Sequence, residues 1–194
     1  MKIELKNIEE TSLLPLWSRA KVSRECSKLF NDTKAIELVE KINYNFSILE
    51  ENFSQNLFMA LFMAARAKQF DDKIRSYIAK HPRASVINLG AGLDTTFYRV
   101  DNGLIQWYDF DLPNVIAIRE QLLPPTDRMT YISKSIFDSS WCNDINDVES
   151  GVFIVACGVL PYFKQSQRIN KITMYLKGCF TIYDSTTSLS SFIS

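Results

Sequence analysis

Histidine is almost missing from this sequence: His81 is the only one among 194 residues. It directly precedes the first apolar segment that reads as a strand. In a parallel sheet this puts it at the end opposite a ligand pocket, which excludes a histidine general base by geometry. One histidine also makes a zinc cluster untenable. Cysteine is sparse, and Cys26, Cys142, Cys157 and Cys179 show no CxxC spacing. They read as small core residues in a reducing compartment. Net charge is absent, with 22 basic against 22 acidic side chains, and there is no local run of Lys and Arg. A nucleic-acid groove or an anionic membrane surface is thereby disfavoured as the main partner. The longest uninterrupted apolar run, 57–65, is far short of the ~20 residues of a membrane span. The opening MKIELKNIEE has no apolar signal core, so a cytoplasmic location is expected.

The composition that remains is ordinary for a globular protein, 46% hydrophobic and 23% charged. The length predicts one domain over residues 1–194 with a sizeable core. Residues 1–80 read as helical: a first helix from Thr11 or Ser12 toward Phe30, a second over Lys34–Lys41 after Asn31-Asp32-Thr33, and a long one from about Glu50 to Lys80. Strands and helices then alternate through a core at 84–185. Strands are expected at 86–89, 105–109, 130–133, 152–156 and 179–183. Helices are expected at Asn114–Leu123 and Gln165–Leu176. Residues 186–194 read as loop or frayed end. The alternation predicts an α/β fold, a doubly wound, mostly parallel Rossmann-like sheet of about five strands in the order 3-2-1-4-5, behind a helical N-terminal cap.

The most informative segment is VINLGAGLDTTFYR, residues 86–99. A short β-branched strand ends in Gly90-Ala91-Gly92, a turn at which backbone and ligand can approach closely, and a helix-compatible stretch follows. The next apolar segment ends in Asp109-Phe110-Asp111, about where such folds place an acid for ribose hydroxyls. A dinucleotide fingerprint wants Gly or Ala where Thr95 stands, and Asp94 would repel a pyrophosphate. S-Adenosylmethionine carries no phosphate and suits the pattern better. Its methyl transfer is an in-line displacement from an activated donor, so a protein contributes mainly alignment and desolvation. An ionised carboxylate acceptor needs no base, whereas a phenol or alcohol does.

NLGAGLDTTFYR, DFDLP (109–113), GVLPYF (158–163) and LPLWSRA (14–20) resemble the leucine carboxyl methyltransferase family. These are class I S-adenosylmethionine-dependent methyltransferases that include bacterial polyketide-type O-methyltransferases. The resemblance implies that Arg66 anchors the cofactor carboxylate and that Gly90, with Gly92 in the same turn, contacts the methionine part. It matches Asp111 to the ribose-binding acid, with Asp109 beside it on the same strand face. Ser135 and Ile136 stand where the family often has Asp-Leu against adenine, and Cys157 where it often has Glu. The implied activity is O-methylation of a carboxylate or hydroxyl on a small molecule or peptide terminus. The alternative is a truncated, catalytically silent relative that binds the cofactor weakly or acts as an interaction module.

Several residues keep a structural reading beside the functional one. Asp94 is favoured as a cap for the helix after the glycine turn. Tyr98 and Arg99 either line the pocket or pack the sheet. Cys157, after an apolar strand, is expected to be an inert thiol. The aromatic residues of the N-terminal third (Trp17, Phe30, Tyr44, Phe46, Phe53, Phe58 and Phe62) either cover the cofactor or form ordinary core. Class I relatives normally carry seven strands, so the chain is expected to be C-terminally truncated. Its fifth strand is then an open edge that can recruit a second copy.

Overall fold

The computed structural model describes residues 10–50, 53–136, 138–157 and, as backbone, 180–184. Five parallel strands form one sheet in the order β3-β2-β1-β4-β5: β1 Ser85–Leu89, β2 Gln106–Asp111, β3 Met129–Ser133, β4 Val152–Ala156 and β5 Phe180–Asp184. The architecture is the expected α/β one. β1 and β4 are buried at every position, as strands covered on both faces should be. β2 runs two residues further than its apolar pattern, so Asp109 and Asp111 both lie within the strand.

Alternation along each strand divides the core. On one face, Val86, Trp107, Phe153 and Val155 pack against Phe70, Ile74 and Ile78 of helix α4 (Phe53–Ile78), and against Phe97 and Val100 of the short α5 (Thr96–Val100). On the other, Ile87, Leu89, Tyr108, Phe110, Ile132 and Ile154 surround Trp141, which arrives from a 3-10 turn at Ser139–Asp144. The segment GVLPYF and the helix expected at Gln165–Leu176 lie outside the described residues. No described helix is long and apolar enough to cross a membrane.

The N-terminal helices sit over α4 and the β1–α5 loop. Helix α1 (Glu10–Glu25) ends five residues before Phe30. The chain turns there so that the Asp32 N–H donates to Ser23 Oγ at 2.8 Å. Asp32 then caps α2 (Thr33–Lys41), accepting from Ala35 N at 2.9 Å. The stretch expected as one helix from Glu50 is preceded by a separate turn, α3 (Ser47–Glu50). Pro113 opens α6 (Pro113–Leu122), where a missing N–H is harmless. Of the cap aromatics, Trp17 and Phe30 are buried core, whereas Phe58 and Phe62 face solvent.

Candidate functional site

The glycine turn is built to bring β1 against β2. Gly90 and Gly92 both take left-handed backbone, φ 67° and 47°, which side chains with a Cβ resist. The turn lets Gly90 N donate to Phe110 O at 2.8 Å and Gly92 N donate to Asp111 Oδ2 at 2.8 Å. Asp111 Oδ1 accepts from Leu112 N at 2.8 Å. A carboxylate has about four acceptor positions, and the described hydrogen bonds use two. Burial pushes the Asp111 carboxyl above its usual range, against the pull of the Gly92 and Leu112 N–H groups.

Beneath this turn lies a network of buried charge that sequence reasoning missed. Arg19 donates to Asp32 Oδ2 at 3.1 Å and to Leu93 O at 3.0 Å. Arg99 reaches the same Asp32 oxygen at 2.5 Å and grips Asp71 through two bonds of 2.8 and 2.9 Å. Thr95 Oγ1 also donates to Asp32, at 2.6 Å. One N-cap aspartate thus ties α1, α5 and the β1–α5 loop together. Arg99, left open between pocket and packing, is a structural ion. Asp94 accepts from Thr96 N and Thr96 Oγ1 at 3.3 and 3.0 Å, so the expected capping role is present although Thr95 occupies the cap position itself.

Asp109 differs from the expectation for a ribose acid. It is 0% exposed. Arg119, itself buried, donates to its Oδ2 through Nε at 3.0 Å and Nη2 at 2.5 Å, while Trp107 Nε1 and Asn88 Nδ2 donate to Oδ1, each at 2.9 Å. With four donors on a sealed carboxylate, Asp109 is an internal counter-ion. Arg119 uses its remaining reach on Gly92 O and Asp94 O, at 3.0 and 2.8 Å. The strand pattern puts both acids on one face, but only the position at the strand end escapes the helices.

Above the turn, a cleft opens between α4, α1 and the end of β4. The cavity there is lined by Arg19, Met63, Arg66, Asp94, Thr96 and Cys157 among others, and measures about 20 Å³. Among the described residues Arg66 has no hydrogen-bond or ion-pair partner. Its charge reaches Cys157, but burial dominates there and pushes the thiol up to about 11. Cys157 is therefore a neutral thiol at physiological pH and not a nucleophile. Ser135 and Ile136 follow β3 at the same, C-terminal end of the parallel strands. Ile136 packs onto the cluster around Trp141, and Ser135 O accepts from Asp138 N at 2.8 Å. His81 lies at the opposite end, stacked on Tyr77 with ring centroids 4.5 Å apart. Cys26, Cys142 and Cys157 are free thiols, and among the described residues no group of side chains could hold a metal.

The model of the leucine carboxyl methyltransferase family matches residues 12–173. The chain belongs to that family. The family is one of S-adenosylmethionine-dependent methyltransferases. The tetracenomycin polyketide synthesis O-methyltransferase TcmP of Streptomyces glaucescens is 30% identical over 165 residues, 84% of this chain and 59% of that protein. The S-adenosyl-L-methionine-dependent methyltransferase dpfgK of Gibberella zeae is 28% identical over 181 residues, 87% of this chain and 60% of that protein. The chain thus spans about 60% of the length of these relatives. An O-methyltransferase family protein from Burkholderia thailandensis aligns with 78% of this chain and 46% of its own, at 15% identity and a TM-score of 0.38.

The residues present fit the family's cofactor. A carboxylate needs a cation that is not already neutralised, and Arg66 has no partner among the described residues. A ribose diol needs an acceptor with free lone pairs at the end of β2, and Asp111 has them. The cofactor's chain must pass close to the backbone, and the turn Gly90-Ala91-Gly92 carries no bulky side chain.

Proposed function

We propose that the chain acts as an S-adenosylmethionine-dependent O-methyltransferase, with the cofactor lying over the ends of β1, β2 and β4. The observation that carries this reading is Arg66, a guanidinium with no partner among the described residues, in a cavity beside the glycine turn. An unpaired, part-buried cation is unfavourable unless an anion meets it. Bound there, the cofactor supplies an electrophilic methyl group. Arg66 holds its carboxylate, and Gly90 and Gly92 admit its methionine part. Asp111 accepts from the ribose hydroxyls, Ser135 and Ile136 border the adenine, and Cys157 borders the sulfur as an uncharged wall. The acceptor is a carboxylate or hydroxyl of a small molecule or peptide terminus. A carboxylate is favoured, since it is ionised at neutral pH and the cleft lining includes no histidine to act as base.

Calorimetric titration with S-adenosylmethionine, S-adenosylhomocysteine and NAD tests the proposal. Heat with the first two and none with NAD is expected. Silence with both adenosyl compounds would overturn it. A second reading, a catalytically silent relative, is motivated by the small size of this cavity, about 20 Å³, which has room for little more than one small group. Binding without turnover on carboxylate and phenol acceptors would favour that reading.

Assembly belongs to the same proposal. β5 stands at one edge of the described sheet, and an uncovered edge pairs readily with another chain. Light scattering should detect self-association, and a monomer at high concentration would remove this part. A cytoplasmic setting is proposed on cysteine usage alone.

A further inference from the structure

A second cavity, of about 410 Å³, lies between the α1–α2 turn, α4 and α5, within the ~300–1,000 Å³ range of small-molecule pockets. It shares no lining residue with the cavity beside Arg66. Helix α4 serves the two from different faces. Met63, Arg66 and Phe70 line the small one, and Lys68, Asp71 and Arg75, spaced by three and four residues, line the large one.

The buried side of this cavity is made of charge already used. Its two acids, Asp32 and Asp71, are buried with Arg99 between them. Arg99 donates to Asp71, Asp32, Thr95 and Thr96, which occupies all five of its N–H donors. Asp32 also accepts from Arg19 and Ala35 N. The rim is different. Lys34 is part-exposed, and Lys68 and Arg75 are half-exposed. Lys34 pairs with Glu37 at 2.6 Å and Lys68 with Asp72 at 3.0 Å, each within one helix. Exposed pairs at such spacings hold their ions weakly. Arg75 donates through Nη2 to Arg99 O, and its Nη1 stands 3.9 Å from the Asp72 that Lys68 already holds. Among the described residues its Nε has no acceptor, and neither do the N–H groups of Thr33 and Lys34 in the first turn of α2. With their ion-pair partners, the lining ions are five cations and four acids, and the excess sits at the rim, where two cations share Asp72.

We propose that this cavity binds a phosphate dianion, free or carried by a small molecule, between Lys34, Lys68 and Arg75. A single carboxylate would answer one of these cations, whereas a phosphate group offers three strong acceptor oxygens. The open edge of Arg75 suits a planar fork on two of them, and the two free N–H groups of α2 add the anion preference of a helix start. The cations ring a recess in a chain with no net charge, which suits a small phosphate and not an extended polyanion. This site is independent of whether S-adenosylmethionine binds beside Arg66.

The test is a backbone-amide NMR titration of the whole chain with inorganic phosphate and with glycerol 3-phosphate, against sodium chloride at matched ionic strength. Saturable shifts centred on Thr33, Lys34 and Lys68 are expected with both phosphates, and the tighter of the two tells whether the free ion or a phosphorylated molecule is the better occupant. Lys68→Gln and Arg75→Gln should each weaken binding about tenfold or more, and Arg66→Ala should leave it unchanged. Shifts no larger than those with chloride would overturn the proposal. So would shifts centred on Arg66 and Gly92 that vanish in Arg66→Ala, or full affinity in both the Lys68 and Arg75 variants. The wild-type shift map decides by itself if a variant does not fold.

Discussion

Below the glycine turn and above it, the protein handles charge in opposite ways. Below, Arg19, Asp32, Asp71 and Arg99 form one network of ions, and Arg119 and Asp109 another, each ion paired with an opposite charge at hydrogen-bond distance. Above, Arg66 has no described partner and Asp111 keeps acceptor positions open. The two regions share a loop of a few residues, so the contrast is not one of protein surface against interior. Charges that shape the chain are neutralised by the chain. The charges proposed to meet a ligand are left open by the described residues.

The comparison breaks most visibly under mutation. Asp32→Ala should destabilise the fold by about 3–5 kcal/mol, because it strands Arg19 and Arg99 as buried charges without their shared partner; urea unfolding reads this. A loss under about 1 kcal/mol would mean that the network is not as dry as its geometry implies. Arg66→Ala should do the reverse. It should weaken S-adenosylhomocysteine by about 1.5–3 kcal/mol, the range for a hydrogen bond to a charged group, and leave the unfolding midpoint nearly unchanged. Asp111→Asn should likewise weaken binding, by about 1–3 kcal/mol, without loss of stability at neutral pH.

Acid sharpens the contrast further. The folded pKa of Asp94 lies below its unfolded value, so its contribution to stability is present above about pH 4 and is lost as pH falls through the folded value. Asp111 is shifted upward, so its ionised form opposes folding at neutral pH and that penalty vanishes on acidification. Asp94→Asn should therefore flatten the decline of stability below about pH 4, and Asp111→Asn should steepen the decline that begins above it. The smallest effect concerns thiols. Iodoacetamide at about pH 8 should modify exposed Cys26 and spare Cys157, whose thiol is pushed up to about 11; peptide mapping decides, and rapid labelling of Cys157 would contradict its burial.

Local patterns carried the sheet well. The β-branched runs at 86–89 and 152–156 and the glycine turn follow from properties of neighbouring residues and appear where periodicity and turn chemistry put them, while α6, expected over Asn114–Leu123, opens one residue earlier at Pro113. The two acids of β2 could not be told apart in the same way. Asp109 and Asp111 share a parity, and what separates them is Arg119, eight and ten residues away on a helix whose facing is a tertiary matter. Asp32 was visible as a cap but not as a hub, since its partners Arg19, Thr95 and Arg99 are 13, 63 and 67 residues distant. Arg66 was legible only through resemblance. Its lack of a partner among the described residues is a property of the folded cleft.

The most direct measurement is a crystal structure of the chain grown with S-adenosylhomocysteine. The ligand carboxylate is expected on the Arg66 guanidinium and the ribose hydroxyls on Asp111, each within about 3.2 Å, with Asp109 still enclosed by Arg119. A ligand seated elsewhere, or Arg66 turned to solvent beside a bound cofactor, would contradict it.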